Sequence, residues 1–428
     1  MSNSVNATLS PSIKQIQADV GQWLDEHWSV DLSLSAWRTL LVDGGWAVPS
    51  WPTEFFGKAF SDQQTSAVAD VFAARGAVGV AQAGPGRLAS HTILGHGNRD
   101  QKQRYLRSIL TGEHAWTQLF SEPGSGSDLA GLTTKAERSG DVWKVNGQKV
   151  WNTSAHHADF GMLLARTDWD LPKHQGLSYF IIDMRQPAVE VRPLKQMNGH
   201  ASFNEVFITD AHILPIDLLG NEGEGWRIAA TTLSIERQAF AGGLPGGRLR
   251  SLAGPIYDEY RDELAIALEP YTWYPQRAGR VDLALPRAKE TGAINDRQVR
   301  QELAKLICMQ KASDIAAATA AAAKRAGGTE VMPAGSIGKL AASVIARQAS
   351  HVHTLVSGAD AMLSGPTSAL DGIIAEVLVS VPAISIAGGT DEIQKNIIAE
   401  RVLELPKEPR FDTGPFRDVP RNLADSTK

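Results

Sequence analysis

The apolar residues of this 428-residue chain change their spacing twice, and this limits the folds that the chain can adopt. From about Ile13 to Gly112 they recur at the helical period, whereas from Trp116 they alternate as in strands. After Gly225 the helical period returns. The pattern predicts an α+β multidomain protein with a ligand site where the parts meet. The predicted parts are an N-terminal helical domain (1–115), a middle antiparallel β domain (116–222), a C-terminal helical region (223–410) and a polar tail (411–428).

The middle region carries the pattern of a β-hairpin. Two alternating runs flank Asn146-Gly147, a pair that tolerates the positive φ angles of a type I′ turn. Further short strands at close spacing predict an antiparallel sandwich or barrel. A proline-marked stretch from Pro270 to Gly292 is predicted to be irregular and to interrupt the C-terminal helices. The further strands are predicted at Phe160–Arg166, Leu177–Met184, Val189–Leu194 and Glu205–Ile208.

Charge and composition exclude several classes of function. The net charge of −5 leaves no basic excess to pair with phosphates, so we expect no nucleic-acid partner. A single cysteine, Cys308, excludes an intramolecular disulfide and a zinc site built from several thiolates, and it fits a reducing compartment. The sequence has no P-loop, no G-x-S-x-G elbow and no H-E-x-x-H pair, and we predict no metal site.

The sequence shows no sign of a targeting or membrane segment, and we expect a cytoplasmic protein. The residues before Ser12 lack the basic start and the apolar run of a signal peptide. The longest apolar stretch, Gly372 to Gly389, contains Glu376 and Pro382. It therefore predicts a buried helix that ends at the proline, and no membrane insertion.

Two features are candidates for a ligand site. The loop after Phe120 reads Ser-Glu-Pro-Gly-Ser-Gly-Ser-Asp, and its glycines and hydroxyls suit an anion or a flavin edge. The alternative is a solvent-exposed Gly/Ser turn. Downstream, Trp151 and Thr153 lie two apart in a strand, so that an aromatic face and a hydroxyl could meet a planar cofactor. The alternative is that Trp151 belongs to the core.

Four segments together resemble the acyl-CoA dehydrogenase family, in order and spacing, from about residue 30 to residue 410. The resemblance implies an N-terminal helical domain, a middle β domain and a C-terminal four-helix bundle. It also implies FAD and the α,β-desaturation of an acyl-CoA thioester to the 2-enoyl-CoA, with the β hydride passing to flavin N5. The four segments are Trp116–Ala130, the Val-Asn-Gly-Gln-Lys-Val-Trp run at 145–151, Asn221–Trp226 and Gly388–Asn396.

The resemblance implies roles for individual residues. Ser121 would donate to the flavin ring with Phe120 beside it, and Trp151 and Thr153 would cover and bond the isoalloxazine. The other assignments are Gly126 and Ser127 at the cofactor and the CoA arm, Thr390 and Glu392 near the FAD pyrophosphate and ribose, and Ser127, Arg237 and Gly389 at the substrate.

Removal of the α proton requires a carboxylate of raised pKa in a dry pocket. In many family members this base is a Glu just before Gly-Thr, but that position is Gly388 here. A minority of members place it on a bundle helix in an x-Glu-Arg sequence, which this chain has at Ile235-Glu236-Arg237. Glu236 is therefore the predicted base. The alternative is that Glu236 is a surface carboxylate paired with a nearby arginine. Asp391 and Glu392 are weaker candidates for the base.

Two family motifs that reach the neighbouring subunit's FAD are absent. An Arg-x-x-Phe-Gly stretch is replaced at Val299–Ala304, and a Gly-rich loop is replaced at Val356–Leu363. These losses predict an α₂β₂ assembly with a homologous partner chain, for which the resemblance favours a steroid-type acyl-CoA. The alternative is a homotetramer in which residues of Pro270–Gly292 supply the contacts.

An electron-transfer flavoprotein is the expected type of electron acceptor. Two other functions stay open: a flavin monooxygenase of the same fold, against which Glu236 argues, and a non-catalytic scaffold subunit, against which the intact Ser121–Asp128 motif argues.

Overall fold

The computed structural model describes residues 11–81, 84–240, 248–325, 334–410 and 412–419. Its N-terminal part is helical because the sequence has capping residues at the helix ends as well as apolar residues at the helical period. Ser12 accepts a hydrogen bond from the Gln15 backbone, and Asn98 and Gln101 form a reciprocal capping box. The helices are α1 (Ile13–His27), α2 (Leu34–Asp43), α3 (Asp62–Arg75), α4 (Gly84–His96) and α5 (Arg99–Thr111).

The middle part is one eight-stranded sheet, in the order β6-β7-β3-β2-β4-β5-β8, with β1 on β4. Most neighbours are antiparallel, as predicted, but β1–β4 and the single bridge between β2 and β4 are parallel. The strands are β1 (Trp116–Leu119), β2 (Lys135–Ser139), β3 (Val142–Thr153), β4 (Phe160–Arg166), β5 (Leu177–Asp183), β6 (Val189–Leu194), β7 (Phe203–Ile213) and β8 (Leu218–Leu219).

The predicted turn at Asn146-Gly147 is wrong, because β3 runs through it without interruption. The hairpin turn lies earlier, at Gly140 (φ 61°), where β2 meets β3. Gly147 has a different reason to be glycine, because a Cβ there would lie 2.3 Å from Thr134 Oγ1. It also marks a register shift against β7.

The C-terminal part is helical, with α11 packed against α9, α10 and α13 as a four-helix bundle. The apolar stretch after Gly372 gives a helix that ends at Ser380, just before Pro382, as predicted. The stretch Pro270–Gly292 is not irregular as predicted, because it contains two helices. The helices are α6 (Gly225–Phe240), α7 (Pro255–Leu268), α8 (Tyr274–Arg277), α9 (Val281–Glu290), α10 (Arg297–Arg325), α11 (Ala334–Ser357), α12 (Ile373–Ser380) and α13 (Asp391–Arg401).

The α–β–α architecture predicted from the changing hydrophobic period is confirmed, and two helices join its parts. α6 lies between α4 and β5, so its buried face belongs to the core shared by the N-terminal helices and the sheet. α7 packs Ile256 and Tyr257 into the core of the N-terminal helices. The chain from 269 to 280 therefore passes from the N-terminal domain to the bundle.

Part of the predicted polar tail packs on the β domain. Phe416 is 2% exposed, and its backbone N–H donates to Leu171 O at 3.0 Å. Arg166 places its guanidinium 3.4 Å from the centre of the Phe416 ring.

In the part of the chain that the structure describes, none of the helices is both long and apolar enough to cross a bilayer. Over the same residues no three His, Cys, Asp or Glu side chains converge as metal ligands.

Candidate functional site

The Ser121–Asp128 loop is held by a buried ion pair that sequence reasoning missed. Glu122 accepts hydrogen bonds from the backbone N–H groups of Thr133 (2.7 Å) and Thr134 (2.8 Å), and from Lys149 Nζ at 2.9 Å. Burial alone would raise the pKa of Glu122, but Lys149 and the hydrogen bonds outweigh it and lower this pKa to about 2. The carboxylate is therefore ionised and fixes the start of the loop. In the sequence, the only indication of this role was the position of Glu122 within the Ser121–Asp128 motif.

The rest of the loop is open on one side. The Val150 N–H donates to Ser121 O at 2.9 Å, and Ser125 Oγ donates to Asp128 O. Gly126 and Ser127 are exposed, and a Cβ on Gly126 would have no neighbour within 4 Å. The loop is thus fixed at its base and exposes backbone N–H groups and a hydroxyl that could hold an anion.

Trp151 does not belong to the core: 56% of it is exposed. It lies at the second register shift of β3, with a φ of 63° that a tryptophan rarely adopts. Phe203 supports it edge-on at 5.8 Å between ring centroids. The backbone is fixed two residues after Trp151, where the Thr153 carbonyl accepts a hydrogen bond from Thr117 Oγ1 at 2.9 Å. An open indole face therefore stands beside a hydroxyl, as a planar ligand requires.

The Phe120 ring is placed differently. It is 3% exposed and packs edge-on against Tyr179 in the core, with 5.8 Å between centroids. The structure therefore gives this ring no open face for a ligand. The Phe120 carbonyl accepts a hydrogen bond from Lys149 Nζ at 2.9 Å.

Glu236 points inward from α6. One turn earlier, Thr232 is fully buried and lies 2.9 Å from Thr92 Oγ1 and 3.1 Å from the Tyr179 hydroxyl. Residues four apart share a helix face, so Glu236 continues the side of α6 that faces the sheet and α4. It is half-buried. The side chain of the neighbouring Arg237 lies outside the part that the structure describes.

Two tyrosines that sequence reasoning did not single out lie near this carboxylate. The Thr153 side chain is near enough to the Tyr271 hydroxyl to lower the pKa of that phenol. Burial raises the pKa of Tyr271, and the nearby Tyr274 and the Glu236 carboxylate act in the same direction. Burial and Glu236 likewise raise the pKa of Tyr274. Tyr271 is thus near both Thr153 of the sheet and Glu236 of α6. In the sequence, the only indication that these tyrosines belong to the site was the aromatic run Tyr-Thr-Trp-Tyr inside a proline-marked stretch.

The N-terminal end of α13 makes a further wall. Gly388 and Gly389 have φ angles of 69° and 87°, and Thr390 caps the helix by accepting from the Ile393 N–H at 3.3 Å. Glu392 is exposed in the first turn. The fully buried Gln394, missed in the sequence, donates to Gly388 O at 3.0 Å.

Asp391 ties this wall to the bundle. It is 2% exposed and pairs with Lys339 at 3.4 Å and Arg347 at 2.6 Å. Burial lowers the pKa of Lys339, and the nearby Arg277 lowers it further, so Arg277 lies close to this group. A carboxylate neutralised by two cations is a poor base, so Asp391 is not a candidate for proton removal.

Three models of one family match the chain: the N-terminal domain of acyl-CoA dehydrogenase at residues 12–113, its middle domain at 117–211 and its C-terminal domain at 279–403. None of the three covers residues 212–278, which include Glu236, Tyr271 and Tyr274.

Two relatives illustrate the similarity. Acyl-CoA dehydrogenase FadE34 of Mycobacterium tuberculosis is 34% identical over 94% of this chain, which spans about half (49%) of that protein. Acyl-CoA dehydrogenase IpdE1 of the same organism is 32% identical over 87% of this chain and 88% of its own length.

Among solved structures, the ChsE4-ChsE5 complex of M. tuberculosis shares the fold. Its TM-score is 0.60 at 22% identity, over 94% of this chain and 100% of that one. The Tcur3481-Tcur3483 steroid ACAD has a TM-score of 0.62 at 20% identity, over 93% and 99%.

Proposed function

The chain belongs to the acyl-CoA dehydrogenase family, and we propose that it desaturates an acyl-CoA thioester between Cα and Cβ with Glu236 as the base. The observation that carries the proposal is the position of Glu236. Its carboxylate is near enough to Tyr271 to raise the pKa of that phenol, and Thr153, two residues from the open Trp151, is near enough to lower it. A base and a site for a planar cofactor are therefore adjacent.

The residues present fit FAD. Trp151 offers an exposed indole face, and Thr153 a hydroxyl next to it. Gly126 and Ser127 leave room and donors for a phosphate, and α13 begins with an N-terminus capped by Thr390. When bound, FAD supplies the acceptor for the β hydride.

The side chains of this protein then have separate tasks. Glu236 Oε takes the α proton from its half-buried position on α6, near Tyr271 and Tyr274. The buried Glu122–Lys149 pair holds the loop that carries Ser121 and Ser127. Neither a monooxygenase nor a scaffold subunit would need a carboxylate at this place.

Glu236→Gln tests the proposal. The change is nearly isosteric, so the flavin absorbance should be kept, whereas loss of a general base lowers the rate of flavin bleaching by acyl-CoA about 10²–10⁴-fold. Exchange of the substrate α proton with D₂O, followed by NMR, should fall in parallel. Glu400→Gln, which removes an exposed carboxylate near the end of α13, is the matched control and should retain proton exchange. If Glu236→Gln bleaches the flavin at the wild-type rate, the base is another residue.

We further propose an α₂β₂ assembly with a homologous chain. The replaced motif at Val299–Ala304 lies inside α10, and Val299 and Leu303 pack into the bundle core, so these two side chains are not available to a neighbouring subunit. Met362 (81% exposed) and Leu363 (52%) form an apolar surface at the other replaced motif. Light scattering and FAD content of the chain expressed alone, and with a candidate partner, decide the assembly: a fully loaded homotetramer contradicts it.

The acyl group and the electron acceptor are the remaining parts of the proposal. A steroid-type acyl-CoA and an electron-transfer flavoprotein are what the sequence resemblance favours. A panel of linear, branched and ring-bearing acyl-CoAs, scored by anaerobic bleaching and then by reoxidation with an electron-transfer flavoprotein, tests both.

A further inference from the structure

Trp151 lies in a β-bulge, and its backbone there is strained. The register of β3 on β7 shifts between Lys149 and Asn152, so that two residues of β3 stand opposite one residue of β7. The φ of Trp151 is 63°, in the left-handed region, which is unfavourable for a residue with a Cβ. Strained residues persist only where the surrounding structure holds them. Contacts from neighbouring segments must therefore offset the strain at Trp151.

Two buried asparagine side chains hold the backbone next to Trp151. Asn152 Nδ2 donates to Gln118 O at 2.7 Å, which ties the bulge to β1. Asn204 Nδ2 donates to Asn152 O at 3.0 Å, which ties the bulge to β7. Each asparagine is 1% exposed, so water has little access to these hydrogen bonds. The backbone that follows Trp151 is therefore held from both sides.

Phe203 supports the side chain of Trp151. The two ring centroids are 5.8 Å apart, and the rings are nearly perpendicular, at 79°. Phe203 meets Trp273 in the same way, at 6.3 Å and 85°, and Trp273 is 2% exposed. Edge-on aromatic pairs are favourable beyond the area that they bury. The indole of Trp151 is therefore supported by rings that reach the protein interior, while one face stays open.

We propose that Asn152, Asn204 and Phe203 are positioning residues that hold the Trp151 indole ready for the flavin. This inference rests on the proposed flavin site. Without these contacts the strained backbone would relax, and the exposed indole would lose its fixed orientation. A ring that is already oriented does not have to be ordered when the cofactor binds, which strengthens binding. The bulge thus gives up some stability for a preformed binding surface.

The strain is tested by comparing glycine and alanine at position 151. Both changes remove the indole, so any effect on the cofactor is the same in both variants. Glycine adopts a positive φ without strain, so Trp151→Gly should unfold at a higher urea concentration than Trp151→Ala. At Lys144, on the same strand and without a positive φ, the order should reverse, because glycine is unfavourable in a strand. If alanine is the more stable residue at both positions, Trp151 is not strained and the inference is wrong.

The positioning is tested by the affinity for FAD, measured from the quenching of flavin fluorescence in whichever assembly carries the flavin. Phe203→Leu should weaken FAD binding about 3–10-fold when Trp151 is present. In the Trp151→Gly background the same change should have little effect, because no indole remains to be positioned. Asn204→Ala should show the same dependence on Trp151. The visible absorption band of the bound flavin should shift in both single variants, as the indole moves.

The matched control is Phe207→Leu. Phe207 lies four residues further along β7 and is also half-buried, but its ring contacts Arg192, with 4.6 Å between the guanidinium and the ring centre. Phe207→Leu should bind FAD as the wild type does.

The results separate the two proposals. If Phe203→Leu weakens FAD binding equally with and without the Trp151 indole, it acts through the fold, so the positioning role is wrong and the desaturation stands. The positioning role is likewise wrong if Phe203→Leu and Asn204→Ala bind FAD as tightly as the wild type does. If the assembled wild type binds no FAD, both proposals are wrong.

Discussion

Lys149→Met should destabilise the protein more than any surface change on the same strand. Lys149 is fully buried, and its ammonium lies 2.9 Å from Glu122, which is 7% exposed. Removal of the lysine leaves the carboxylate buried without its counter-charge. Because burial lowers the pKa of Lys149 and Glu122 opposes this, each charge depends on the other.

The size of the effect follows from the remaining contacts. Breaking a buried ion pair by removal of one partner costs about 3–5 kcal/mol. Glu122 keeps hydrogen bonds from both backbone N–H groups at Thr133 and Thr134, so we expect the lower end, about 3 kcal/mol. Glu122→Gln combined with Lys149→Met should be more stable than Lys149→Met alone, because no charge is then stranded.

Urea unfolding followed by both circular dichroism and tryptophan fluorescence measures this, because only coincident transitions justify a free energy. The matched control is Lys144→Met. Lys144 lies on the same strand and pairs with Asp210 at 3.0 Å, but both side chains are exposed, so its urea midpoint should hardly move. The reasoning is refuted if Lys149→Met is no less stable than Lys144→Met, or if the double variant recovers nothing.

Two further predictions concern acid and packing. The pKa of Glu122 is about 2 in the folded protein, below its ordinary value of 4.5. The ionised carboxylate therefore adds about 3 kcal/mol to the free energy of unfolding above pH 4.5, and this contribution is lost as the pH falls toward 2. Urea midpoints between pH 6 and pH 3 should therefore fall less steeply in Glu122→Gln than in the wild type. Gly279→Ala should cost about 1–3 kcal/mol from contact with α11 in addition to backbone strain, whereas Gly292→Ala, with φ 74° and no atom within 4 Å, pays only the strain. Equal urea midpoints for the two alanine variants would contradict the close approach to α11.

Much of the fold was predictable because its signals are local. The change in hydrophobic period fixed the order helix, sheet, helix, and Pro382 marked the end of α12. The turn at Asn146-Gly147 was wrong for an instructive reason. The dipeptide favours a turn, but Gly147 is needed for the approach of Thr134, which lies 13 residues earlier in the chain. The tertiary contact with Thr134 therefore outweighed the local turn propensity of Asn146-Gly147.

The sequence by itself determined the family motifs, the nature of the loop from Ser121 to Asp128 and the candidacy of Glu236. Only the tertiary structure decided that Trp151 is open, that the Phe120 ring is buried and that Glu122 serves as an anchor. It also brought the segment from Tyr271 to Arg277 to the base, about 40 residues away in the chain. Spacing in a sequence records which residues share a strand or a helix face. Which faces then meet is set by burial and charge across the whole chain, and these have no local pattern.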